Sequence, residues 1–453
     1  MTANLAARFE RLPFTRYQRN LVLLIGTAYA FDGAELAVLT FALAPLRSAF
    51  GLTAVQAGLL ASATFLGMAV GALAAGVVSD RIGRRSVICY SMYVWGIASL
   101  LVVFAWDFGS LAGFRFLTGL GMGAELPVAF AMLSEFLPTR KRGLLLGITN
   151  LAVTAGYLLI GAVSLACLAT VGWRGVFVFM AALALFGVVV RRALPESPRW
   201  LESVGRHDEA DVTMTEVERE VAAASGAPLP EPSTDAALAI EQQVRNPLRV
   251  LLSKAHRRRT LLAWAMWLLN IAAFYGITTW TAAVLVERGD SPLSAIGLVI
   301  AMYVWQIPGT VAASYLMDRV GRKAVFVVCL LLYAACAVLY VSVESTALIL
   351  VFGSLLQFFS AGNTAANYTY TPELFPTRAR ASGIGSASAW GRVGAVAGPL
   401  LVPVLVGVWS YVGAFAVLAG MLALTALLLL VFGPETRNRQ LEELSEQPLE
   451  RHV

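Results

Sequence analysis

The stretch VVSDRIGRR, residues 77–85, decides how this chain is read, because it packs Asp80, Arg81, Arg84 and Arg85 between two long apolar runs. A near copy, LMDRVGRK, occupies 316–323, so that Asp318 follows Asp80 by 238 residues. A second motif keeps that spacing: SEFLPTR places Glu135 238 residues before Glu373 in PELFPTR, and Pro138 precedes Pro376 by the same offset. Two unrelated motifs sharing one gap-free offset make the chain a tandem repeat.

Apolar runs extend on both sides of each copy. A helix needs about 20 apolar residues to cross the hydrocarbon core, and twelve such runs are present, at 21–46, 54–79, 86–106, 110–134, 143–170, 173–190, 261–286, 293–317, 324–343, 346–371, 381–407 and 410–432. With 58% hydrophobic and 14% charged residues, the composition is that of an integral membrane protein, not a soluble domain. The expected fold is an all-α membrane protein of twelve transmembrane helices in two pseudo-symmetric six-helix halves. The boundaries are 1–192 for the first half, 193–259 for a cytoplasmic linker and 260–453 for the second half with its tail. Within the linker DEADVTMTEVERE reads as a surface helix and SGAPLPEPSTD as a flexible connector.

The net charge of +6 records topology and not a nucleic-acid partner. With the N-terminus cytoplasmic, all but five of the 34 Lys and Arg residues fall on the cytoplasmic side, which is the positive-inside rule. The exceptions are Arg47, Arg174 and Arg288 in outer connections and Arg115 and Arg392 inside helices. MTANLAARFERLPFTRYQRN reads as a retained cytoplasmic leader. The four cysteines have neither metal-ligand spacing nor a disulfide framework. His207, His256 and His452 lie outside the spans, so any proton crossing the membrane must ride on a carboxylate.

Charges inside the spans are the first pointer to function, because each costs at least about 2.5 kcal/mol at the bilayer centre without a partner. Asp32 and Glu35 stand at i and i+3 in the first span, can face one cavity and, so close together, are candidates to carry the coupled proton. Arg115 cannot shed its proton and must find an anion, an acid it releases when that acid is protonated or the carboxylate of a substrate. Glu125, ten residues further along the same span, is a second proton site or the counter-ion of Arg392. At the 238-residue offset Asp32 maps to Asn270, Glu35 to Ala273, Arg115 to Gly353 and Glu125 to Asn363. Ionic chemistry is therefore concentrated in the first half. In the second, Arg392 beside Trp390 offers a fork for a carboxylate and a face for a ring. Tyr275 and Tyr368 are further candidates for stacking, and Gln306, Asn363, Asn367 and Asn270 are amides at lipid depth that need either substrate or a neighbouring helix.

These motifs resemble those of the major facilitator superfamily. GVVSDRIGRR at 76–85 is similar to its G-x-x-x-D-R-x-G-R-R loop signature, RFLTGLGMG at 115–123 to the R-x-x-x-G-x-G-x-G of helix four, and PESPRWL at 195–201 to the mark that ends helix six of sugar porters. Within the superfamily GAELPVAFAMLSEFLPTRKRG and YTYTPELFPTRARASG most resemble the metabolite:proton symporters, in particular nicotinate and aromatic-acid transporters, a group also similar to synaptic vesicle glycoprotein 2. The resemblance implies a pairing of Asp32 with Arg115, as acid and arginine pair across helices one and four of proton-coupled sugar porters. It also implies a breakable cytoplasmic gate of Asp80, Arg84, Arg85, Glu135 and Arg142 with Asp318, Arg322, Glu373 and Arg380. Where sugar porters carry glutamine on helix five this chain has Asn150 and Tyr157, and its helix seven has none, which argues against sugar.

The function expected is a proton-coupled symporter, a monomer in the inner membrane with both termini cytoplasmic, that imports a small organic anion such as nicotinate by alternating access. Protons, the anion and membrane lipid are its expected partners, with no cofactor, metal, nucleic acid or enzymatic activity. The competing readings are a sugar or polyol transporter and a non-transporting receptor.

Overall fold

The computed structural model describes residues 5–137, 139–231, 247–375 and 379–435, and among these there is no strand. A short α1 (Leu5–Glu10) precedes the first span, α2 (Arg16–Phe50), which is followed by α3 (Ala54–Ile82), α4 (Arg84–Val102), α5 (Phe108–Phe136) and α6 (Thr139–Thr170). The sixth span is α7 (Trp173–Leu183) with α8 (Phe186–Ala193). Three helices follow outside the spans: α9 (Pro198–Ser203), α10 (His207–Ser225) and α11 (Pro247–Leu251). The remaining spans are α12 (Arg257–Glu287), α13 (Pro292–Tyr303) with α14 (Gln306–Arg319), α15 (Arg322–Ser342), α16 (Thr346–Glu373), α17 (Arg380–Val408) and α18 (Tyr411–Phe432). Among the described residues twelve helical spans are thus long and apolar enough to cross a membrane, as the apolar runs predict. The break between α13 and α14 has a local cause: Pro308 has no N–H for the carbonyl of Val304, and its ring clashes there.

The chain divides into two compact units. One comprises residues 1–38, 63–163 and 170–240, the other 39–62, 164–169 and 241–453. Both units contain the same turn. Gly83 starts α4 at φ 92° and ψ 156°, and Gly321 starts α15 at φ 123° and ψ 151°, a region open in practice only to glycine. In the first unit a Glu196 oxygen accepts from the backbone N–H groups of Arg84 and Arg85, both at 3.0 Å. In the second a Glu435 oxygen accepts from Arg322 N–H at 3.1 Å. Each carboxylate thereby satisfies donors that a helix start leaves unpaired, next to the positive end of the helix dipole. A Cβ on Gly83 would stand 2.3 Å from Glu196 Oε2, and one on Gly321 2.8 Å from Glu435 Oε2. That is the physical content of the glycine in D-R-x-G-R.

The glycines of RFLTGLGMG position the first-unit site. Gly119 and Gly123, one turn apart, lie against α3, where an added Cβ would meet Thr64 O at 1.9 Å and Met68 O at 2.1 Å. Gly121 points the other way, 2.7 Å from Ser91 O on α4 by the same construction. The motif lets α5 wedge between α3 and α4 at backbone contact, which fixes where Arg115 and Glu125 emerge.

Outside the spans α10 buries Ala210, Met214, Val217 and Val221, a stripe at helical spacing that matches the expected surface helix. Its other face holds α1. Arg8 donates through Nε and Nη2 to the two oxygens of Glu218, at 2.9 and 2.8 Å, and through Nη2 to Thr215 Oγ1 at 2.9 Å, and it also pairs with Asp211. Arg11 adds a 2.7 Å bond to Glu218. Burial works to raise the Glu218 carboxyl, but the hydrogen bonds from Arg8 and Arg11 outweigh it and hold the group below its ordinary value.

Candidate functional site

Four ionisable side chains meet inside the first unit, all buried to within 1% of full occlusion: Asp32 and Glu35 from α2, Arg115 and Glu125 from α5. Arg115 forms its ion pair with Glu35, not with Asp32 as expected. Its Nε donates to Thr64 Oγ1 at 3.1 Å, and its guanidinium lies 5.9 Å from the centroid of the Phe177 ring. Ser99 Oγ donates to the second oxygen of Glu35 at 3.1 Å. The reason for the correction is helix direction. Successive spans run in opposite senses, so the early residue of α5, Arg115, is level with the later acid of α2, Glu35, while the late Glu125 is nearer the earlier Asp32.

The rest of the cluster is less completely satisfied. Trp95 Nε1 donates to Glu125 Oε2 at 3.1 Å, whereas Glu125 Oε1 and both oxygens of Asp32 have no hydrogen-bond partner among the described residues. Glu125 and Glu35 both lie within charge range of Asp32. A buried group stripped of water and given no bond in return costs several kcal/mol as an ion. The arrangement can therefore store a neutral, protonated carboxyl at Asp32 beside an ion pair whose charges are already balanced.

In the second unit the amides are mostly engaged with each other. Asn363 Nδ2 donates to Asn270 Oδ1 at 2.8 Å, Asn270 Nδ2 returns a bond at 3.2 Å, and Gln306 Nε2 donates to Gln357 Oε1 at 2.8 Å. Asn367 is buried with Oδ1 unbonded. Arg392 is half-buried on α17 and within charge range of Tyr275 and Tyr368. Tyr368 is 52% and Trp390 40% exposed; Trp390 packs on Trp264 with centroids 5.9 Å apart, and Tyr368 stands edge-on to Trp267 at 5.4 Å. Tyr157 is buried in α6.

The gate residues divide into two clusters. Arg84 Nη1 pairs with Glu135 at 2.7 Å and donates to Ser197 Oγ at 2.9 Å, while Ser197 Oγ donates to Glu135 Oε2 at 2.5 Å. Asp80 is exposed, and its carbonyl accepts from Trp200 Nε1 at 2.9 Å. Arg85 is half-buried at the start of α4. In the other unit Arg322 reaches Asp318 at 3.4 Å and Glu373 at 3.6 Å, and half-buried Arg380 opens α17. The side chains of Arg142 and Asn150, and Pro138 and Pro376, lie outside the described residues. Among those described, no group of acidic, His and Cys side chains has the arrangement to hold a metal.

Sequence reasoning missed Thr64, Trp95, Ser99, Ser197 and Gln357 as partners, because nothing local marks them. Glu196 and Glu435 were missed as well, although a signal marks them: both follow a proline just after a six-span block, 239 residues apart, one residue off the repeat spacing.

A twelve-span chain in two repeats, with a balanced ion pair and an unbonded acid at lipid depth, is a multi-pass membrane transporter. The chain belongs to the major facilitator superfamily, in the sugar (and other) transporter family, whose model matches residues 21–447. It is 32% identical to the niacin transporter NiaP of Acinetobacter baylyi over 97% of this chain and 99% of that one. It is 30% identical to the 3-(3-hydroxy-phenyl)propionate transporter of Escherichia coli over 84% of this chain and 86% of that one. The inward open structure of the xylose transporter XylE from E. coli superposes with a TM-score of 0.73 over 94% of this chain and 99% of that one, at 20% identity, a likeness of fold alone.

Proposed function

We propose that this transporter is a proton-coupled symporter that imports a small aromatic monocarboxylate such as nicotinate across the inner membrane, with both termini cytoplasmic. The observation that carries the coupling is Asp32, fully buried with both carboxyl oxygens unbonded, a group that the interior tolerates best when it holds a proton. The substrate class rests on two relatives at 30% identity or more, whose printed substrates are both aromatic acids, and on Arg392 with two phenols in its field. An arginine fork suits a carboxylate, and the neighbouring rings suit a planar ligand.

In this cycle a proton from outside neutralises the acid cluster, the anion meets Arg392, and access alternates to the inside. The Arg84–Glu135 and Arg322–Glu373 clusters break as the cytoplasmic side opens, and release of substrate and proton resets them. The test is uptake of labelled nicotinate by proteoliposomes whose lumen is made alkaline. Accumulation that collapses with a protonophore and is competed by benzoate, but not by xylose, is the expected result. Uptake that ignores the protonophore and yields to sugars overturns the reading in favour of a sugar or polyol carrier.

A further inference from the structure

The repeat relation supplies a comparison internal to the molecule. Asp32 and Glu125 of the first repeat stand where the second has Asn270 and Asn363, each 238 residues on. In the second repeat those two side chains bond reciprocally, at 2.8 and 3.2 Å, across α12 and α16. In the second repeat the two positions are therefore a contact pair; the same offset puts Asp32 and Glu125, which act on each other by charge, at the corresponding positions of the first, and a pair that bonds needs hydrogen on it. Two amides bring their own. Two carboxylates bring none, and at one contact they repel as well.

The unbonded atoms of the first repeat are those a single hydrogen would serve. Asp32 has both oxygens open and Glu125 has Oε1 open, while Glu125 Oε2 already takes the Trp95 N–H. A proton on Asp32, donated to Glu125 Oε1, leaves one negative charge on Glu125, held from both sides. The charged groups acting on Asp32 are Glu125 and Glu35. Glu35 is neutralised by Arg115, and the buried Cys89 of α4 lies within charge range of Glu125.

We propose that Asp32 and Glu125 are one proton-binding unit, a single hydrogen ion shared between two carboxyls, and that the Glu35–Arg115 pair remains ionised through the cycle. The proposal rests on the proton-symport reading and names its acceptor. When the site empties, the O–H bond of Asp32 breaks and the proton leaves to water; no other bond changes. Arg115 then positions α2 against α5 and takes no part in the proton's movement.

Two measurements on the full chain in membranes test this. Infrared difference spectra across neutral pH, recorded without substrate, read buried carboxylic C=O groups directly. The wild type is expected to show one titrating group. Asp32→Asn, Glu125→Gln and the double variant, which rebuilds in the first repeat the amide pair of the second, are each expected to show none, because the remaining carboxylate takes its hydrogen from the new amide. A band that survives in either single variant assigns the proton to one carboxyl alone and overturns the proposal, as do two titrating groups in the wild type. In proteoliposomes, pH-driven accumulation of nicotinate is expected to fall from about tenfold per pH unit to none in all three variants. Accumulation driven by a sodium gradient at equal pH, with no carboxylic band, assigns the site to sodium and overturns it. A wild-type band that is lost in both single variants, without pH-driven uptake, upholds the shared proton and sinks the symport reading instead.

Discussion

The two repeats agree at the loop end and part company at lipid depth. Gly83 with Glu196 and Gly321 with Glu435 build the same capped turn from residues spread over more than 110 positions of each repeat. Deeper in the bundle, away from those turns, the first repeat holds Asp32 and Glu125 where the second holds amides, and an Arg–Glu pair where the second has Gly353 and Ala273. The turn is a scaffold need: every helix start has unpaired N–H groups, and both repeats meet that need in one way. The interior is a chemical choice. An amide pair closes a helix contact and does nothing with pH, whereas buried acids with unbonded oxygens are the groups that pH can act on.

The largest expected effect breaks the comparison at Arg115. Arg115→Leu strands Glu35 in the bundle, and removal of one partner of a buried pair costs about 3–5 kcal/mol. Denaturant or thermal unfolding in detergent should show that loss, with much of it recovered in Arg115→Leu/Glu35→Leu. If the single variant is as stable as the wild type, the pair is not a fixed strut. The next effect sharpens the likeness between repeats. Gly83→Ala and Gly321→Ala should each cost about 1–3 kcal/mol from backbone strain alone. Gly83→Ala should be the worse, because its Cβ would come 2.3 Å from a carboxylate oxygen rather than 2.8 Å. Equal melting temperatures for the two would deny that contact.

The smallest effect concerns an asymmetry outside the spans, the docking of α1 on α10 through Glu218. The bound carboxyl sits below its ordinary value, so its contribution is complete above the ordinary carboxylate range and is lost as pH falls through the depressed one. Near neutral pH, hydrogen exchange in residues 5–10 should be flat. It should speed up in acid, and Glu218→Gln should give the acid behaviour at every pH, at a cost of about 1 kcal/mol for the lost charge-assisted bonds. Exchange that does not respond to the substitution would show that the apolar contacts, Phe9 edge-on to Phe136 at 5.5 Å, hold the helix by themselves.

Much of this protein was written in local order. The twelve spans followed from apolar run length, since a bilayer leaves a backbone no cheaper conformation than helix. The repeat followed from two motifs at one offset. Asp32, Glu35, Arg115 and Glu125 stood out because charge at lipid depth is costly enough to need a reason. Which acid the arginine holds was a different matter, as were the pairing of Asn270 with Asn363 and the N–H that Trp95 gives to Glu125. Those partners lie 30 to 93 residues apart in the chain. Their meeting depends on the depth and rotation at which α2, α4 and α5, and in the second unit α12 and α16, pack on one another. Residue chemistry along the chain dictates which groups must be satisfied; the packing of one helix on another dictates by whom.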